Sequence, residues 1–222
     1  MGIFSFTQHG PGRGVKKDAR KLKRPFLIFY YLFINLTKFI KMSLLFTLTS
    51  LPVVTIGASI CGLTYFSYSV AEDKPIFLFS DYFEKFRKNF FKGLFAFLFT
   101  LIPLVSFFVC YFNIGRIPHF RNLIFPLLLV NIIVLMMSFY IYPQIIFYDI
   151  EFFGIIKNSF IFAMIKLPLN IFVAFIVLLI LYLAFLIPHI GYVLSPLFLI
   201  AFINYFVTFS VWPTIKKHME DE

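Results

Sequence analysis

Four tracts of this chain, residues 42–71, 93–115, 122–148 and 167–215, contain no Asp, Glu, Lys or Arg. Each is longer than the roughly 20 apolar residues with which a helix crosses the hydrocarbon core. No soluble core of ordinary size needs such tracts, and composition agrees. Only 14% of the 222 residues are charged and 61% are hydrophobic, against roughly 25% charged in soluble domains. In lipid only helices or closed barrels satisfy the backbone, and the tracts lack the period-2 alternation of barrel strands. The expected fold is all-α, a polytopic integral membrane helical bundle in one domain.

Breaks within the tracts set the segment count. Spans are expected over 93–113, 123–143, 167–186 and 192–212, the last two separated at "IPHIGY" by Pro188 and Gly191. Residues 42–71 read in two ways: one long tilted helix, or two half-helices meeting at "SLPVVTIG", where Pro52 and Gly57 interrupt. The bundle therefore has five to six membrane segments, the first of them whole, broken or re-entrant.

The charges collect in segments that precede the tracts. In "FSDYFEKFRKNFFKG", residues 79–93, Phe79, Tyr82, Phe83, Phe86 and Phe90 share one helical face, and Asp81, Glu84, Lys85, Lys88 and Lys92 the other. Asp81 and Glu84 fit a capping box. A basic polar face opposite an aromatic one suits a helix lying flat in the membrane interface. "EFFGIIKNSFIFAMIK" and "RPFLIFYYLFINLTKFIK" repeat the theme more weakly, giving a loose threefold unit of interfacial helix, span and return. Phe83, Phe86, Arg87, Lys88 and Lys92 are the candidate interfacial or partner-docking residues.

Lys and Arg also set the orientation. Nine precede Met42, five lie in 74–92, two in 113–122, two are Lys157 and Lys166, and two are Lys216 and Lys217. If the first tract crosses once, 11 lie inside and 9 outside, which is almost no bias. If it returns to its starting side, 18 lie inside and 2 outside. The second arrangement places both termini and the amphipathic helices in the cytoplasm. Its cost is local: either Lys38 and Lys41 enter the bilayer, at about 2.5–3.5 kcal/mol each, or "SLPVVTIG" is a re-entrant turn that needs protein cover.

Residues 1–24 read as a flexible basic arm with Gly10, Pro11, Gly12 and Gly14; residues 25–215 form the membrane domain and 216–222 a charged tail. The start lacks a small-residue cleavage site, and Phe6 stands where myristoylation needs Ser or Thr. The basic run from Arg13 to Arg24 is juxtamembrane, which suits anionic lipid rather than nucleic acid. Cys61 and Cys110 have no CxxC spacing and read as small buried residues.

Little chemistry is on offer. No Walker loop, HExxH or GxSxG occurs, and no carboxylate falls deep in a span, where a proton-coupled carrier would need one. His119 and His189 lie in short outward loops near Arg116 and Arg121, but no carboxylate or Cys accompanies them to complete a metal site. The candidate polar intramembrane residues are Asn131, Asn170 and Asn204, suited to bonding between helices or to lining a solute path. Ala58 and Gly62 make a small-xxx-small pair. No enzyme activity and no cofactor is expected.

"LPVVTIGASICGLTYFSYSV", "FLFSDYFEKFRKNFFKGL" and "SFYIYPQIIFYDIEFFGIIKNSFIFAMIKLPLNI" together resemble the YesL-like family of bacterial membrane proteins, a domain of unknown function. The resemblance implies a small polytopic protein encoded beside carbohydrate ABC importers and glycoside hydrolases. It carries over no catalytic residue. Two functions follow as expectations: an accessory component bound to the permease of a carbohydrate importer, or a small carrier or channel for a neutral solute such as a sugar. A polar cavity lined by Asn131, Asn170, Asn204 or Gln144 would favour the carrier.

Overall fold

The computed structural model describes residues 24–219; residues 1–23 of the basic arm and residues 220–222 lie outside it. The described residues form helices joined by turns and short loops, without strands. In order they form α1 (Arg24–Ile34), α2 (Leu36–Thr49), α3 (Ile56–Ala71), α4 (Leu78–Lys88), α5 (Phe90–Phe112), α6 (Pro118–Phe147), α7 (Phe152–Ile165), α8 (Leu167–Leu186), α9 (Pro188–Leu194) and α10 (Ile200–Met219). Five stretches are long and apolar enough to cross a membrane: Val53–Ala71, Phe90–Phe112, His119–Phe147, Leu167–Leu186 and Ser195–Met219. The α1–α2 pair, bent by 79°, makes a sixth if taken as one broken segment.

A shared joint gives the threefold theme a backbone form. α1 meets α2 at Asn35, α4 meets α5 at Asn89, and α7 meets α8 at Lys166. Their dihedrals nearly coincide: φ −103°, ψ 15°; φ −107°, ψ 20°; φ −110°, ψ 36°. One residue in this sparsely used bridge region redirects a helix without a loop. Each time an asparagine amide adds a donor to the last turn of the preceding helix, at carbonyls (Tyr31, Lys85, Phe162) that also accept the joint residue's own N–H. Asn35 Nδ2 donates to Tyr31 O at 3.0 Å and Asn89 Nδ2 to Lys85 O at 3.1 Å. At the Lys166 joint the donor comes from Asn170, whose Nδ2 reaches Phe162 O (3.2 Å) and Ala163 O (2.9 Å).

α3 is the axis of the packing. Nearly every residue from Gly57 to Val70 is buried. α2, α4, α5, α6 and α10 all pack on it. One core forms around Phe39, Phe66, Tyr82 and Tyr205, a second around Tyr68, Tyr140, Phe162 and Trp212, and a third around Cys61, Ala96, Met137 and Ile141. α5 and α8, by contrast, leave long rows of large apolar side chains exposed, among them Ile102, Phe112, Phe175 and Phe185.

The structure revises four expectations. The helix expected over 192–212 is interrupted. α9 gives way to a π-helical segment, Ser195–Leu199, before α10. Pro196 has no N–H to give, and widening the turn absorbs the clash of its ring. α6 does not stop at Pro143 but continues to Phe147, because one lost hydrogen bond in a packed helix is tolerable where neighbours cover it. Lys216 and Lys217 are not in a tail. They lie in the last turn of α10, where cations favour the helix dipole. Nor do Asp81 and Glu84 form the expected capping box. Phe77 precedes α4, and Asp81 Oδ2 accepts the Phe77 N–H at 2.9 Å. Glu84 instead pairs with Lys85 at 2.8 Å.

Candidate functional site

α4 is anchored by Tyr82. Its ring lies over Gly62, where an added Cβ would come within 2.6 Å of it. Its hydroxyl shares a 2.6 Å hydrogen bond with Thr49 Oγ1, which also accepts from Ser59 Oγ at 3.0 Å. Phe83 and Phe86 are half-buried against the same core. Rings of Tyr82, Phe86 and Phe90 follow one another at about 6 Å spacing, with centroids 6.3 and 6.2 Å apart. Phe79, expected on this packed face, is 57% exposed.

The polar face also departs from expectation. Arg87 and Lys88 are exposed, but Lys85 is not turned to water. Its ammonium sits 5.0 Å from the centre of the Tyr65 ring and bonds Glu84. That hydrogen bond, with the charge behind it, holds the Glu84 carboxyl below its ordinary range. Lys92 is engaged within the chain: it donates to Ile150 O at 3.1 Å and pairs with Asp149 at 3.4 Å, tying the start of α5 to the α6–α7 loop. What α4 presents outward is an open depression lined by Phe79, Phe83, Glu84, Arg87 and Lys88.

The three intramembrane asparagines are not brought together. Asn131 Nδ2 bridges α6 to α5 through Pro103 O at 3.1 Å. Asn170 Oδ1 accepts from Tyr140 Oη at 2.7 Å while its amide caps α7. Asn204 accepts from Ser67 Oγ at 2.7 Å and donates to Thr64 Oγ1 at 3.2 Å, joining α10 to α3. Gln144, fully buried, donates to Ser159 Oγ at 2.9 Å. Each thus serves helix-to-helix bonding.

A cavity of about 300 Å³ lies between α3, α6, α8 and α10, with Leu63, Leu135, Phe139, Val177 and Ile203 on its walls. Asn204 borders it, with its amide already engaged. Among the described residues no group of three or more His, Cys, Asp or Glu could hold a metal ion. His119 and His189 are both exposed. The close approach that sequence reading missed is Gly57 against Gly93, where a Cβ on Gly57 would overlap the Gly93 carbonyl. The small pair Ala58 and Gly62 is buried beside it.

Residues 39–114 match a family described as "Protein of unknown function, DUF624". That match agrees with the YesL-like resemblance and, like it, names no activity. Neither the comparison with curated proteins nor that with solved structures gives a match.

Proposed function

We propose that this chain is a non-enzymatic, multi-pass component of a bacterial cell membrane that works beside the permease of a carbohydrate ABC importer. Its amino terminus and α4 face the cytoplasm. The observation that carries this reading is how the polar groups are spent. Asn131, Asn170 and Asn204 are occupied in holding helices together, while Arg87 and Lys88 stand on an exposed, aromatic-lined face of α4. Such a face suits a lipid surface or the cytoplasmic loops of another membrane protein. The 18-to-2 division of Lys and Arg supports its cytoplasmic placement. The carbohydrate context rests on the family resemblance alone.

The carrier remains the second reading, favoured by the cavity between α3, α6, α8 and α10. Its largely apolar walls suit a sugar poorly, since Thr64, Ser138, Tyr142, Asn204 and Thr208 offer its hydroxyls few partners in place of the water they lose. A mild-detergent pull-down of tagged protein from cells grown on a glycan, with the captured proteins identified, tests the proposal beside uptake in a deletion strain. The permease is expected in the captured fraction and slowed uptake in the deletion. Absence of any permease, together with transport of a labelled sugar into liposomes by the purified chain, would establish the carrier instead.

A further inference from the structure

α8 is held to the bundle chiefly by its first half. Its buried residues are Asn170, Val173, Ala174 and Val177. Asn170 is bonded to α6 and α7, and the three small side chains pack into the core of Tyr140, Phe162 and Trp212. Beyond Val177 the larger side chains Leu178, Leu181, Tyr182 and Phe185 are bare. The next close approach is at Gly191 of α9, where an added Cβ would overlap the Ala184 carbonyl. Between these two ties lies the cavity of about 300 Å³ that α8 shares with α3, α6 and α10.

The walls of this cavity suit hydrocarbon. None of the lining residues is charged. Of the five polar ones, Thr64, Ser138 and Asn204 are bonded within the protein, and Tyr142 and Thr208 are buried. Leu181, at 48%, is the one exposed residue of the lining. The mouth therefore opens beside it, on the bare face of α8. Val177 and Leu181 stand about 15 and 21 Å along α8 from Leu167, at ~1.5 Å per residue. That is deep within a hydrocarbon core of ~30 Å, so the medium at the mouth is acyl chain.

A void of this kind does not hold water. Left empty, its walls forfeit the dispersion contacts of a packed interior. A lipid tail is as apolar as Leu, so it enters without a solvation cost and restores those contacts. The volume is about twice that of the ~150 Å³ apolar cavity that takes benzene, which gives room for roughly a dozen carbons. Leu181 is about 8 Å from the Leu186 end of α8, which places the mouth in the leaflet nearer α9.

We propose that the cavity is a site for a single acyl chain of a membrane phospholipid, which enters beside Leu181 from that leaflet while its headgroup stays at the surface. The proposal stands apart from the importer reading. A chain held there also takes from the carrier reading the cavity on which it rests.

Photolabelling tests it. The full chain is placed in phosphatidylethanolamine–phosphatidylglycerol vesicles doped with a phosphatidylcholine that carries a diazirine midway along one acyl chain. After illumination, the labelled positions are read by peptide mass spectrometry. Leu63 and Phe139 are buried and line the cavity, so label reaches them from inside it. Ile102 and Phe175 are bare and report ordinary lipid contact. All four are expected to be labelled. Val177→Phe and Ile203→Phe fill the space from two helices. Each should abolish label at Leu63 and Phe139 and leave Ile102 labelled as before, which shows that the variant is folded and inserted. Label confined to Ile102 and Phe175 in the unaltered chain overturns the proposal, as does interior label that both filled variants retain. Interior label from a free fatty acid bearing the same diazirine, with none from the phospholipid, overturns it too and assigns the site to the free acid.

Discussion

Asn170 carries more of this structure than its single polar side chain suggests. It accepts one hydrogen bond from Tyr140 and gives two to the last turn of α7. Asn170→Ala takes the side-chain donor from Ala163 O and one partner from the buried Tyr140 hydroxyl, and is expected to cost about 2 kcal/mol. Tyr140→Phe removes one of the three bonds and should cost about 0.6 kcal/mol, the average for such bonds in a membrane. Unfolding in mixed micelles measures both, and equal losses would mean that the carbonyl caps contribute nothing. The sequence made Asn170 legible as an interhelical donor, because an amide in an apolar tract has few other uses. It did not reveal the Gly57–Gly93 contact. Those glycines lie in different tracts, and close approach between distant segments leaves no local spacing to read.

α4 shows the same limit one level up. Its amphipathic pattern was plain, and Phe83 and Phe86 do pack inward. The pattern could not tell that Tyr82 would be the anchor, Phe79 bare and Lys85 drawn onto Tyr65, since those outcomes depend on what α3 offers opposite. Phe86→Asp puts a carboxylate among Tyr82, Phe83 and Phe90 and is expected to destabilise α4 by about 3 kcal/mol or more. Lys85→Asp loses a cation–π contact and repels Glu84, at about 1 kcal/mol. Proteolysis of the segment 78–92 in membranes ranks the two, and equal susceptibility would show that the aromatic ladder does not hold the helix. The joints at Asn35, Asn89 and Lys166 were half visible. Two carry asparagine, but the third is capped from Asn170, four residues on.

For the whole molecule, the class follows from the charge-free tracts, and Leu167–Leu186 falls where the sequence placed it. Depth does not follow, because hydropathy measures length and not level. If α5, α6, α8 and the α9–α10 unit are the crossings, both termini share a face. Reporter fusions before Met1 and after Glu222 are expected to give the same cytoplasmic signal, and a fusion within 113–117 the opposite one. Opposite signals at the two termini would establish an odd number of crossings and remove the 18-to-2 arrangement.

The Gly57–Gly93 contact also bears on the order of events during synthesis. The ribosome completes α1 to α4 before α5 emerges. α3 therefore waits with the backbone of Gly57 uncovered until the chain has grown past α4 and Gly93 arrives for it to close upon.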